Sequence, residues 1–266
     1  MTPKSHSGWV YQAGGCRIPR LRSGRLLAQA RCRGPRAQRL CVGLELRRKN
    51  KVYLSAALSA VLLISESSLA NGDFQFWSTT GASFKVDKDW TVTVEEQLRL
   101  GNDAGHLYYH HADLGFVYGG LTDWVDLGFN FKEVFWEESD GHWSRENRPH
   151  LNVTFKGHLG ELDWTDGSRF EYRDREDEKD IWRYVNRLKV RLPCEFTKFK
   201  FRPYFADYVF INLDGQTFDR NRIYSGVSFE LLKNVESELC YFWQLSKSDG
   251  RWEDLNGVGL QVRIPF

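Results

Sequence analysis

The sequence predicts an all-β fold, an antiparallel up-and-down transmembrane β-barrel of ten to twelve strands, with twelve favoured. Three observations carry it. From Asp73 onward apolar and polar residues alternate with period two, in segments that reach the roughly 9–11 residues a tilted strand needs to cross a bilayer. The connections alternate between short turns and longer, more polar loops, the asymmetry of short periplasmic turns and longer outer loops. The chain closes on a strand-like run in which Val258, Leu260, Val262, Ile264 and Phe266 share one face. A terminal Phe on such a strand resembles the assembly signal read by the barrel-assembly machinery of Gram-negative bacteria.

In chain order, residues 1–46 are Arg-rich, carry Gly and Pro, and show no hydrophobic period. They read as a start-site artefact or a disordered basic leader. Residues 47–70 have the layout of a signal peptide. Arg47, Arg48, Lys49 and Lys51 form a positive head, Val52 to Ile64 an apolar run too short for a membrane helix, and Ser68-Leu69-Ala70 a small-residue cleavage site ending at Ala70. The expected mature domain is 71–266, exported to the outer membrane of a Gram-negative bacterium.

The chain has 37 basic and 35 acidic residues. Residues 1–70 hold 13 of the bases and two of the acids, which leaves 71–266 with 24 bases, 33 acids and a net charge of −9. The basic balance belongs to the leader, so no nucleic-acid partner is expected. Of five Cys only Cys194 and Cys240 lie beyond the signal, with no metal-ligand spacing; neither a metal nor a cofactor is expected.

Alternation between turn signals gives eleven segments near 73–86, 90–100, 106–119, 124–136, 145–157, 161–173, 181–192, 199–211, 221–231, 235–247 and 255–266. In the second, Trp90, Val92, Val94, Leu98 and Leu100 oppose Thr91, Thr93, Glu95, Gln97 and Arg99. Trp residues near segment ends, among them Trp77, Trp90, Trp124, Trp182 and Trp252, suit interfacial girdles. Single-chain bacterial barrels have even strand counts. The first segment is therefore expected to split near Thr79-Thr80-Gly81, giving twelve strands, or to lie within the lumen and leave ten.

Several strand-borne motifs are shared with a known family. Phe74-Gln75-Phe76-Trp77, Glu95-Glu96-Gln97-Leu98-Arg99, Ser168-Arg169-Phe170-Glu171-Tyr172-Arg173, Tyr184-Val185-Asn186-Arg187-Leu188, Phe201-Arg202-Pro203-Tyr204 and Asp219-Arg220-Asn221-Arg222 resemble a bacterial family, domain of unknown function 2490, over about residues 73–266. The resemblance implies an outer-membrane barrel. No activity comes with it.

Residues opposite the apolar set should line the lumen. Segments six to nine bring Arg169, Arg173, Arg183, Arg187, Arg191, Arg202 and Arg222 into one basic wall, with Lys189, Lys200, Tyr204, Tyr208 and Tyr224 among them. Glu95, Asp113, Asp126, Glu171, Glu236 and Glu238 are expected to face or flank it. Three readings stay open: a narrow channel for small anionic solutes, since guanidinium forks hold carboxylates and phosphates; a closed structural barrel whose charges pair into a plug; and a lipid-modifying enzyme. For the last, His150, Ser168 and Ser228 are expected inward, and His110 and His111 on opposite faces. No spacing joins a Ser to a His, so no catalytic residue is assigned and the chain is not expected to be an enzyme. The expected partners are outer-membrane lipid, lipopolysaccharide and the barrel-assembly machinery; the oligomeric state stays open.

Overall fold

The computed structural model describes residues 73–266 apart from 139, 140, 177, 196, 198, 216 and 249. The leader, the signal segment and its cleavage after Ala70 lie outside the described residues. Eleven strands occupy most of the rest: β1 (Phe74–Lys85), β2 (Trp90–Gly101), β3 (His106–Thr122), β4 (Val125–Glu137), β5 (Trp143–Leu159), β6 (Leu162–Arg175), β7 (Ile181–Arg191), β8 (Arg202–Asn212), β9 (Thr217–Leu232), β10 (Val235–Ser248) and β11 (Arg251–Pro265). Each pairs with the next in antiparallel fashion, and β11 returns to β1 to close the barrel.

The count corrects the favoured twelve. β1 does not split at Thr79-Thr80-Gly81. Those residues pair with Gln97, Glu96 and Glu95 on one side and with Gln261, Val262 and Arg263 on the other, without interruption. Strand direction alternates along a meander, so an odd count forces the closing pair to run parallel. β1 and β11 do so, from Phe74 beside Asn256 to Ser83 beside Pro265. Hence β1 starts at one rim, here the N rim, and β11 ends at the other, the C rim.

The seam is tight. A Cβ on Gly257 would lie 2.1 Å from the carbonyl oxygen of Gln75 and 2.7 Å from the Phe242 ring, so no larger residue fits without a shift. Inside the seam Trp77 packs on Phe242 with ring centroids 4.0 Å apart. This removes Trp77 from the expected girdle: it is an interior residue, 4% exposed. At the C rim the Phe266 ring stacks on Phe84, and its N–H donates to the Ser83 carbonyl at 2.8 Å.

Period-two alternation sorts the side chains as the sequence suggests. Val94, Leu98, Leu114, Phe116, Phe129 and Leu151 are exposed on the outer face. The outward polar residues tend to meet one another, as in His110 with Glu96 (3.1 Å), Asn186 with Asp166 (2.7 Å) and Asn221 with Asp207 (2.6 Å). Ser168 is also outward, bonded to the Tyr184 hydroxyl at 2.9 Å, because its neighbour Arg169 takes the inward position. That corrects the expected inward Ser168.

The loop asymmetry is weaker than expected. Ladders continue into the polar stretches, with Glu137 opposite Trp143, Glu146 opposite Arg175 and Ser248 opposite Arg251, which shortens the N-rim loops. The longest connection, residues 192–201, lies on the C rim.

Candidate functional site in the barrel lumen

Alternation carries the expected basic wall inward: Arg169 and Arg173 on β6, Arg183, Arg187 and Arg191 on β7, Arg202 on β8 and Arg222 on β9. Lys200 is the exception; it sits in the C-rim connection, 2.5 Å from Glu230. The six acids also lie inside, but they do not form a separate opposing face. Glu171 belongs to the wall itself, on β6, and Glu238 reaches across from β10 to β7.

Much of this interior is zipped together. Glu146, with no exposed side-chain surface, accepts from Arg173 Nε at 2.6 Å and Nη2 at 2.8 Å, and from Arg148 Nη2 at 3.0 Å. Arg183 Nε donates to Glu171 at 2.5 Å. Asp113 receives Asn130 Nδ2 at 2.9 Å and lies 3.3 Å from Lys132 Nζ and 3.6 Å from His150 Nε2. His111 lies 3.6 Å from Glu95 and 3.2 Å from Lys132. Lys156 holds Asp126 at 2.8 Å, and Arg202 holds Asp163 near the C rim. Burying such charges is tolerable only when each has its counter-charge and its hydrogen bonds.

Among the described residues the packing leaves cavities, two of which bear on the charged wall. The larger, about 490 Å³, occupies the N-rim half and middle of the lumen; eleven Lys or Arg side chains line it against three carboxylates, Glu95, Glu171 and Glu238. The smaller, about 340 Å³, lies at the C rim among Asp163, Arg202, Glu230 and Glu236. Both are lined by Arg191, Glu238, Gln261 and Arg263, which therefore form the partition between them. The partition is braced by a chord across the barrel: Lys189 Nζ donates to both oxygens of Glu238 at 2.5 and 2.6 Å, with Arg191 3.5 Å away.

Five cations of the larger cavity have no carboxylate within ion-pair distance among the described residues, Arg263 of the partition and four others. Arg99 is sandwiched between Trp77 and Tyr109, its guanidinium carbon 4.0 Å from each ring centre. Arg222 bonds only neutral acceptors, Gln244 Oε1 at 2.7 Å and the Tyr224 hydroxyl at 2.9 Å, and lies over Trp77 at 4.4 Å. Arg187 donates to Asn152 Oδ1 at 3.1 Å, and its buried Nε has no partner. Arg220 lies over Phe210 at 5.7 Å, and its buried Nε likewise has none. Cation–π contact holds a guanidinium in place without neutralising it.

Sequence reasoning missed Arg148, Arg220, Arg263 and the hub Glu146. Arg148 and Glu146 share the parity of His150, which had been read as inward. Arg220 fell in a stretch read as loop, but β9 starts at Thr217. The Ser and His residues do not assemble: Ser228 Oγ donates to the Arg202 carbonyl at 3.3 Å, Ser168 is outside, and His150 faces Asp113. Cys194 and Cys240 are both free.

No curated protein matches the chain. A family profile matches residues 74–255, all of the barrel but most of β11, and so the chain belongs to the family described as Protein of unknown function (DUF2490).

Proposed function

We propose that this protein is an outer-membrane barrel of Gram-negative bacteria that offers small anionic solutes a narrow path. The observation that carries the reading is the charge imbalance of the larger cavity: eleven cationic side chains line it against three carboxylates, and even with Glu146 and Asp113 behind the wall, five of the cations have no ion-pair partner among the described residues. A purely structural plug gains little from guanidinium groups without counter-charge, because neutral acceptors and ring contacts return only part of the lost solvation. Mobile anions supply the missing counter-charge. Passage then requires the Lys189–Glu238 chord and its neighbours at the partition to part or rearrange, which makes them the narrowest point of the path. The apolar outer face suits lipid, with lipopolysaccharide beside the N-rim loops. The C-terminal strand ending in Phe266 suits the barrel-assembly machinery.

A closed structural barrel is the second reading, favoured by the dense pairing around Glu146, Glu171 and Asp113 and by the chord itself. Single-channel recording of the detergent-purified protein in a planar bilayer separates the two. Steady conductance with an anion-preferring reversal potential supports the path, and a folded, heat-modifiable barrel that never conducts rejects it. Recovery of the protein in the soluble fraction without detergent rejects the membrane reading as a whole.

A further inference from the structure

We infer that the larger cavity is a two-point binding site for one organic dianion, a scaffold bearing two carboxylate or phosphate groups; this rests on the anion reading above. The argument begins with a row of paired residues. Tyr208 on β8 stands in register with Arg187 on β7 and with Arg222 on β9. Neighbouring strands lie about 4.8 Å apart, so the backbones at Arg187 and Arg222 are about 10 Å apart with Tyr208 between them. Each flank of the row holds a guanidinium with no carboxylate within ion-pair distance among the described residues, Arg187 on one and Arg222 on the other.

On the β7 flank, the Arg187 guanidinium lies against Gly167, where a Cβ would come within 3.3 Å of Nη2. Arg169 Nε shares the same acceptor, Asn152 Oδ1, at 3.0 Å, so one neutral oxygen serves two guanidiniums; Arg169 also lies 3.9 Å from Glu171, while Arg187 has no carboxylate within ion-pair distance among the described residues. On the β9 flank, Arg222 and its neighbour one inward position nearer the N rim, Arg220, stand with Arg99 around Trp77 and Phe210. Between the flanks the rings of Tyr208 and Tyr224 lie 4.8 Å apart and present apolar surface to the body of a ligand.

A small ion such as chloride or inorganic phosphate satisfies one flank and leaves the other bare. A molecule with an anionic group at each end satisfies both and lays its middle on the tyrosines. Arginine suits this role because its fork accepts carboxylate or phosphate oxygens in pairs and its charge does not titrate.

The test is titration calorimetry on the full protein in detergent, with the six-carbon dicarboxylate adipate and its half-amide, which has the same length and one charge fewer. One adipate per barrel is expected, bound at least about ten-fold more tightly than the half-amide, the difference one charge-assisted contact makes. Arg187→Gln and Arg220→Gln should each reduce adipate to the level of the half-amide, while Arg145→Gln, on the outer face beside Glu133, leaves it unchanged. Heat-modifiable migration shows that each variant is folded, and neither Arg187 nor Arg220 strands a carboxylate when removed. Adipate binding no better than its half-amide, or full binding by either folded lumen variant, overturns the site. Anion-selective conductance without this preference leaves the path standing and removes the site. Saturable adipate binding in a barrel that never conducts leaves the site standing and removes the path.

Discussion

Two sectors of the same inner wall use arginine in opposite ways. Along β5, β6 and the start of β7, Arg148 and Arg173 converge on Glu146 and Arg183 meets Glu171. Along β2 and β9, Arg99, Arg220 and Arg222 are placed by Trp77, Tyr109, Phe210 and Gln244. In the first sector the guanidinium is spent on holding strands together. In the second it is ordered but keeps its charge. The difference lies in what surrounds the arginine, and it separates the part of the lumen whose charges are paired from the part that the proposed path offers to solute.

The comparison can be broken by removing one member of each sector. Glu146→Gln leaves Arg148 and Arg173 buried around a neutral amide and is expected to cost about 3–5 kcal/mol, as for other broken buried pairs, seen as a lower urea midpoint for unfolding. Arg220→Gln should stay within about 1 kcal/mol of wild type, since it breaks no ion pair. Equal losses would erase the distinction between the sectors. The chord is the next test. Glu238→Lys alone places three cations together with Lys189 and Arg191 and should cost about 3 kcal/mol, while adding Lys189→Glu should recover most of it.

The smallest effect concerns the loop above the paired sector. Asp180 accepts the Tyr172 hydroxyl at 2.7 Å and the Arg175 backbone N–H at 3.0 Å, and these hydrogen bonds hold its carboxyl below the ordinary value of 3.8. A depressed folded pKa contributes stability that is fully present above the unfolded value and is lost as pH falls through the folded one. The protection of the Arg175 amide against hydrogen exchange, relative to its intrinsic rate at each pH, should therefore be high above pH 4 and fall only in stronger acid. In Asp180→Ala the protection should be low and independent of pH.

Much of this was legible in the sequence, and the misses share a cause. All eleven segments correspond to strands, because a half-polar, half-apolar wall imposes strict alternation, and the same alternation gives the direction of each wall arginine. Parity says which face a residue takes and not which partner it meets. That is why Glu146 escaped notice and why Glu171 was read as an opposing acid, although it pairs with the adjacent strand. Strand ends were drawn too short wherever polar residues keep pairing, which hid Arg220 within an expected loop. Twelve strands were favoured from the habit of other barrels. Nothing in the residues of β1 asks for a break, and Gly257 admits a parallel neighbour at close range.

The parallel closure has a practical consequence for sidedness. Because β1 enters at the N rim and β11 leaves at the C rim, the strands cross the barrel height an odd number of times, and in the proposed outer-membrane setting the two rims report on opposite compartments. In that setting, of an epitope placed in residues 102–105 and one appended after Phe266, antibody would reach one on intact cells and the other only after the outer membrane is opened. One molecule thus carries both halves of its own orientation assay. Joining its ends into a circular permutant would require a linker long enough to traverse the wall, roughly the length of β1 itself, about 30–40 Å.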